Sequence, residues 1–75
     1  MFIHIGENKV VRKKDIVAIF DMDSATVSSV TRKMLSVAQK EKRLISLGYD
    51  LPRSFILMKD KTIYLSSLIF KKIEL

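Results

Sequence analysis

Cysteine and tryptophan are absent from this chain, histidine and proline occur once each (His4 and Pro52), and the only glycines are Gly6 and Gly48. Each shortage excludes something. Without cysteine there is no disulfide and no thiolate metal site, which fits a reducing compartment. Without a glycine-rich stretch there is no phosphate-cradling loop. A lone imidazole cannot complete a metal shell, so a structural or surface role is expected for His4. Long apolar runs are missing too: no segment approaches the roughly 18–20 residues of a membrane span. The start Met1-Phe2-Ile3-His4 lacks the basic flank and long apolar stretch of a signal peptide. A cytoplasmic protein with no membrane partner is expected.

Catalytic groupings are also lacking. Asp21-Met22-Asp23 has neither the further oxygen ligands nor the closing glutamate of a calcium loop. Ser24, Ser28, Ser29 and Thr31 have no base, nucleophile elbow or oxyanion loop around them and read as a helix entrance. No enzyme activity, cofactor, metal or small-molecule substrate is expected.

What remains is small, apolar and basic. The 75 residues make one domain, 1–75, with 48% hydrophobic residues. So short a chain buries only about 60% of the surface its unfolded form exposes. Such domains often depend on a disulfide, a metal or a second subunit, and here a second subunit is the aid left. Fourteen basic residues against eight acidic give a net charge of +6 and a pI near 9.8, which favours an anionic partner, chiefly nucleic acid or an anionic membrane surface.

Along the chain, Phe2 to Ile5 reads as a strand closed by the turn composition Gly6-Glu7-Asn8, and Val10-Val11 as a brief extended piece. Ile16 to Phe20 is continuous, β-branched and aromatic-ended, the pattern of a buried strand. Asp21 to Ser24 ends it and offers helix caps. From Ala25 to about Lys42 the apolar period changes: Val27, Val30, Met34 and Val37/Ala38 form one stripe, widened by Ala25 and Leu35. Leu44 to Leu47 is a short strand ending at Gly48, and Tyr49 to Pro52 a loop. Arg53 to Met58 and Thr62 to Ser66 are strands joined by a hairpin turn, Lys59-Asp60-Lys61, where Asp60 tolerates a positive φ. Ser67 to Leu75 is too apolar to be a free tail. The fold class is α+β: a small, mostly antiparallel sheet with one main α-helix packed on one face. The other face has nothing left to cover it, so Ile56, Tyr64, Phe70 and Ile73 are the candidates to meet a neighbouring copy.

For an anionic partner the candidates are the runs Arg12-Lys13-Lys14 and Lys40-Glu41-Lys42-Arg43, with Arg32 on the helix. Lysine and arginine docking on phosphates release condensed counterions. Arg53 follows a proline at the entrance to a strand, where the ring restricts the preceding backbone. The contacts expected are therefore to phosphates, from Arg12, Lys13, Lys14, Arg53, Arg32, Lys40 and Arg43.

The segments Phe2-Ile3-His4-Ile5-Gly6-Glu7-Asn8, Asp15 to Ile19, Arg53 to Leu57 and Ile63 to Ser66, in this order, cover nearly the whole chain. They resemble the extracellular matrix regulatory proteins of Gram-positive bacteria, most of all the B-type (RemB-like) branch with its opening Ile-His-Ile-Gly-Glu. The resemblance implies a transcriptional regulator of biofilm genes, a homo-oligomer closed into a ring, with DNA as partner. In the similar A-type branch one arginine precedes the strand matching Ile16 to Phe20; here Lys13-Lys14-Asp15 stand there. That branch's arginine pair precedes the strand matching Arg53 to Met58; here those places hold Asp50-Leu51, and only Arg53 is basic. A second expectation, of another class, is an interaction module that co-assembles with a related regulator without holding DNA itself.

Overall fold

The computed structural model of the chain describes residues 1–25, 28–69 and 73. Strands β1 (Phe2–Gly6) and β2 (Lys9–Arg12) form an antiparallel hairpin, followed by a 3-10 turn (Lys13–Asp15). Strand β3 (Ile16–Asp21) leads into the short helix α1 (Met22–Ala25) and the main helix α2 (Ser29–Lys40). Strands β4 (Leu44–Ser46), β5 (Ser54–Met58) and β6 (Ile63–Ser66) complete a four-stranded sheet in the order β3-β5-β6-β4.

That sheet is mixed, which corrects the mostly antiparallel expectation. β5 is antiparallel to both β3 and β6, but β4 runs parallel to β6, with Leu44, Ile45 and Ser46 opposite Ile63, Tyr64 and Leu65. The chain leaving β4 does not fold straight back. The loop 47–53 crosses the end of β6, so β6 lies between β4 and β5. A short strand followed by a loop and another strand looks like a hairpin in sequence; only tertiary pairing distinguishes the crossover.

Alternation along the central strands sends side chains to two clusters. Phe55 and Ile63 join Ala38 of α2, with Met34, Leu35, Phe20, Leu57 and Leu65 packed around them. Phe55, Ile56 and Ile63 are fully buried, each worth roughly 1.5–3 kcal/mol relative to exposure. The Phe20 and Phe55 rings stack at 4.7 Å, a pairing that contributes about 0.5–1.5 kcal/mol beyond area. On the opposite face Ile56 and Met58 meet Ile3, Ile5 and Val11 of the hairpin and Ile73, with Ile16, Ile19, Leu47, Tyr64 and Leu68 alongside.

The expectation of an uncovered second face is therefore corrected: the β1–β2 hairpin covers it. Ile3, Ile5 and Val11 point to the same side because Ile3 pairs with Val11 and strand residues two apart share a face. Ile16 and Ile19 are three apart, yet both join the hairpin-side cluster. A bulge explains this. Ile16 pairs with Met58 and Ala18 with Leu57, so Val17 is an extra residue that resets the alternation and is itself exposed.

The helical region differs from its expected outline. The stretch expected only to break the strand and cap the helix forms α1, which ends at Ala25 where the helix was expected to begin; the main helix runs from Ser29 to Lys40, and Ser28 caps α2 by accepting the Thr31 N–H at 3.5 Å. The buried stripe is Met34, Leu35 and Ala38, while Val30 is 76% exposed and Val37 is exposed as well. At 3.6 residues per turn these valines lie about 100° around the helix from the middle of the buried stripe. Val27 of the expected stripe lies outside the described residues. At the β5–β6 turn the positive φ falls on Lys61 (72°), not Asp60. Asp60 instead accepts the Thr62 N–H at 3.0 Å through Oδ1, the local side-chain-to-backbone bond that aspartate makes in turns.

The polar groups in the core are satisfied. Ser54 and Ser66 are fully buried; the Ser54 hydroxyl donates to the Leu68 carbonyl at 2.7 Å, and the Leu68 N–H donates to Ser66 Oγ at 3.1 Å. These bonds and the packing of Leu68 and Ile73 tie the segment after β6 to the sheet.

Candidate nucleic-acid interface

Strand direction decides where the charges gather. β3, β4 and β6 begin, and β5 finishes, at the same end of the sheet. Three segments rich in lysine and arginine converge there: the 3-10 turn, the β5–β6 turn, and the junction of α2 with β4. The Lys59 N–H donates to the Asp15 carbonyl at 2.9 Å, joining the first two. The Ile63 N–H donates to the Arg43 carbonyl at 2.9 Å, and Arg43 Nη1 donates to the Lys61 carbonyl at 2.6 Å, joining the third.

This end holds Arg12, Lys13, Lys14, Lys40, Lys42, Arg43, Lys59 and Lys61 against Asp15, Glu41 and Asp60, a local charge of +5 in a chain of +6. Both arginines are partly neutralised. Arg12 Nε donates to Asp15 Oδ2 at 3.0 Å. Arg43 donates to Glu41 Oε1 through Nε at 2.8 Å and also through Nη2. Exposed ion pairs of this kind add only about 0–1 kcal/mol to stability; their effect here is to position the guanidinium groups. Asp60 has its pKa lowered, first by the Thr62 backbone N–H and then by the Thr62 hydroxyl. It is ionised at neutral pH and offsets one lysine. The lysines supply the excess charge, and clustered like charge raises the local concentration of anions.

Four of the eight acidic residues, Glu7, Asp21, Asp23 and Asp50, stand at the opposite end of the sheet beside Arg53, and with Lys9 of the hairpin and Arg32 and Lys33 at the start of α2 the excess of cations found at the basic end is absent there. Contacts between elements fix this placement. A Cβ at Gly48 would meet the Glu7 carboxylate, and one at Gly6 would meet Ser66 Oγ, so the hairpin turn sits beside the loop 47–53 and the end of β6. The Met22 N–H donates to the Arg53 carbonyl at 3.0 Å, and Asp21 Oδ1 accepts the Asp23 N–H at 2.9 Å.

The seven cations singled out in the sequence are thus divided. Arg12, Lys13, Lys14, Lys40 and Arg43 come together, while Arg53 sits at the opposite end, roughly 15 Å away along β5. Arg32 lies in the first turn of α2, away from the helix end that carries Lys40. Lys42, which the run 40–43 included without being singled out as a contact, and Lys59 and Lys61, which were missed, also belong to the basic end. Two lysines flanking the tip of a hairpin were the available signal.

Of the side chains expected to meet a neighbour, Ile56 and Ile73 are buried in the chain's own hairpin-side core. Tyr64 is half-buried, with Lys9 Nζ 5.2 Å from its ring centroid. Phe70 lies outside the described residues. His4 is exposed on the hairpin, with Nε2 2.5 Å from the Glu7 carbonyl oxygen.

Two clefts adjoin the basic end. One of about 510 Å³ lies between the hairpin and the β5–β6 turn and is lined by Phe2, Val10, Val11, Arg12, Asp15, Met58, Lys59, Asp60 and Tyr64. A second of about 680 Å³ is lined by Met1, Phe2, Arg12, Lys13, Lys14 and Ile16. Among the described residues no three histidine, cysteine, aspartate or glutamate side chains are grouped so as to hold a metal ion. Nor is any described helix long and apolar enough to cross a membrane.

No curated protein matches the chain. The family profile described as RemA-like, extracellular matrix regulatory protein A-like, matches residues 2–75. With that match spanning both clusters of the core and both ends of the sheet, the chain belongs to the RemA-like family of extracellular matrix regulatory proteins, which is a regulatory and not an enzyme family.

Proposed function

We propose that this protein is a cytoplasmic, DNA-binding transcriptional regulator of matrix genes, of the B-type branch, acting as a homo-oligomeric ring. One observation carries the DNA-binding reading: eight of fourteen basic residues converge on one end of the sheet with only three acidic residues among them. Such an end meets phosphates, not base edges. Among the described residues helix α2 is preceded only by the four-residue α1, too short to be the first helix of a helix-turn-helix pair, and the basic segments carry no asparagine and only Gln39 to read adenine edges. Binding is sequence-tolerant and cumulative over copies, because each phosphate neutralised adds its own released counterions.

Fluorescence anisotropy with unrelated duplexes across a salt series tests this. The wild type binds all of them, with affinity falling steeply as salt rises. Lys13→Glu with Lys14→Glu weakens binding to every duplex alike and flattens the logarithmic salt slope by about 2. Loss for one duplex alone would mean base readout. An assembled wild type that binds no DNA at low salt would give way to the co-assembling interaction module.

A further inference from the structure

The open end of the β1–β2 hairpin carries apolar side chains that the chain leaves uncovered. Met1 is 87% exposed, Phe2 68% and Val10 50%. Strand pairing explains the last two. Ile3, Ile5 and Val11 turn into the core, so Phe2 and Val10, one step off in the alternation, turn outward. On that outer face Phe2 stands opposite Arg12, and beside it the Met1 carbonyl accepts the Lys13 N–H at 2.9 Å. Apolar and cationic side chains are thereby held next to one another. The 680 Å³ cleft is built of these groups: Met1, Phe2 and Ile16 with Arg12, Lys13 and Lys14, and no acidic residue among those described lines it. Asp15 holds Arg12 from outside, so Lys13 and Lys14 supply the net charge.

These side chains project; they do not enclose. Of the six lining residues five are exposed and only Ile16 is half-buried. A small ligand is buried over most of its area in its site, whereas this shallow face suits an extended surface. Duplex DNA offers phosphates to Lys13 and Lys14, but its apolar base faces are hidden in the stack. An anionic bilayer offers both in the matching order, a charged headgroup layer with hydrocarbon beneath it. Lysine suits that boundary, because its stem lies along apolar surface while the ammonium stays among the headgroups. The expectation of no membrane partner rests on the lack of a span and of a signal peptide. Lying on a membrane requires neither, only one face of this kind.

We propose that the chain docks on anionic membrane surfaces through the open end of the hairpin, Met1, Phe2 and Val10 entering the headgroup boundary and Lys13 and Lys14 pairing with lipid phosphates. The docking is peripheral and reversible, since a few apolar side chains and two cations hold far less firmly than a spanning helix. Both contributions are needed. Each lysine near an anionic surface strengthens binding by roughly fivefold, so neutral lipid forfeits about twenty-five-fold. Lys13 and Lys14 also belong to the DNA surface proposed above. Phe2 and Val10 do not, which lets the two kinds of binding be told apart.

Sedimentation of the full chain with lipid vesicles tests this. The wild type cosediments with an equal mixture of phosphatidylcholine and phosphatidylglycerol and stays in solution with phosphatidylcholine alone. Phe2→Thr with Val10→Thr keeps β-branched residues in the strands. It weakens vesicle binding by roughly tenfold or more and leaves affinity for a DNA duplex unchanged. The chain has no tryptophan, so Phe2→Trp introduces a single indole, whose emission moves to shorter wavelength when the mixed vesicles are added. That variant also serves if circular dichroism shows the threonine pair to be unfolded. A wild type that does not cosediment with the mixed vesicles at low salt overturns the docking and leaves the DNA reading standing. So does a folded threonine pair that binds the vesicles as the wild type does, or an indole unmoved in the bound chain, because charge alone would then account for the lipid. An indole that shifts with protein concentration in the absence of lipid would mean that a second copy covers this face, and overturns the docking as well.

Discussion

Gly6 is held by both backbone conformation and packing. Its φ is +146°, and a Cβ there would lie 2.8 Å from Ser66 Oγ. Ser66 is fully buried and accepts the Leu68 N–H, so it cannot move aside without opening the segment after β6. Gly48, at φ +87°, differs in kind: the nearest atoms belong to the flexible end of the Glu7 side chain, which can swing into solvent. Gly6→Ala is therefore expected to destabilise the fold by roughly 2–3 kcal/mol and Gly48→Ala by roughly 1–2 kcal/mol. Urea midpoints of the two variants check the order, and an equal loss would mean that backbone conformation alone sets both costs. The turn at Gly6 was legible in the sequence as a composition. The closeness of Ser66 was not, because residues sixty apart are brought together only when the hairpin lies over the sheet.

At the level of elements, the continuous apolar strands are what the sequence shows best. Ile16 to Phe20 and the pair flanking Lys59-Asp60-Lys61 form strands, as β-branched and aromatic runs this short favour, but β3 lies at the edge of the sheet and is only half-buried, not the buried strand expected. Helix α2 was legible as a helix but not in its rotation. Val30 and Val37 share a periodic stripe with Met34 as well as Leu35 and Ala38 do, and periodicity cannot say which side of Met34 faces the sheet. Packing decides it: Ala38 is fully buried against Phe55 and Ile63, where its small side chain lets the helix approach closely. Val30→Lys is thus expected to change stability by no more than about 0.5 kcal/mol. Ala38→Leu is expected to cost roughly 1–3 kcal/mol by overpacking. Thermal unfolding of the two variants distinguishes this rotation from the one the sequence suggested, in which Val30 would be the costly site.

Across the whole molecule, polarity of charge is the feature that sequence order conceals. Net charge and the two basic runs were plain, yet Lys59 and Lys61 join Arg43 only because β4 pairs with β6, and that parallel pairing has no local signature. The same topology sends Arg53 away from the cations of the basic end and into the company of Asp21, Asp23 and Asp50. If phosphates are held at the basic end, charge reversal there and charge reversal at Arg53 have unequal effects. Lys42→Glu with Lys61→Glu removes four units of charge from one end, so DNA affinity is expected to fall by roughly a hundredfold or more at moderate salt, with the salt slope flattened by about 2. Arg53→Glu alters a site whose neighbours are already acidic, and a loss of only a fewfold is expected from the change in overall field. Anisotropy titrations of both variants against one duplex, over a series of salt concentrations, separate the two cases. Equal losses per charge reversed would place DNA along the full length of the sheet. A larger loss at Arg53 would move the contact to the opposite end of the sheet.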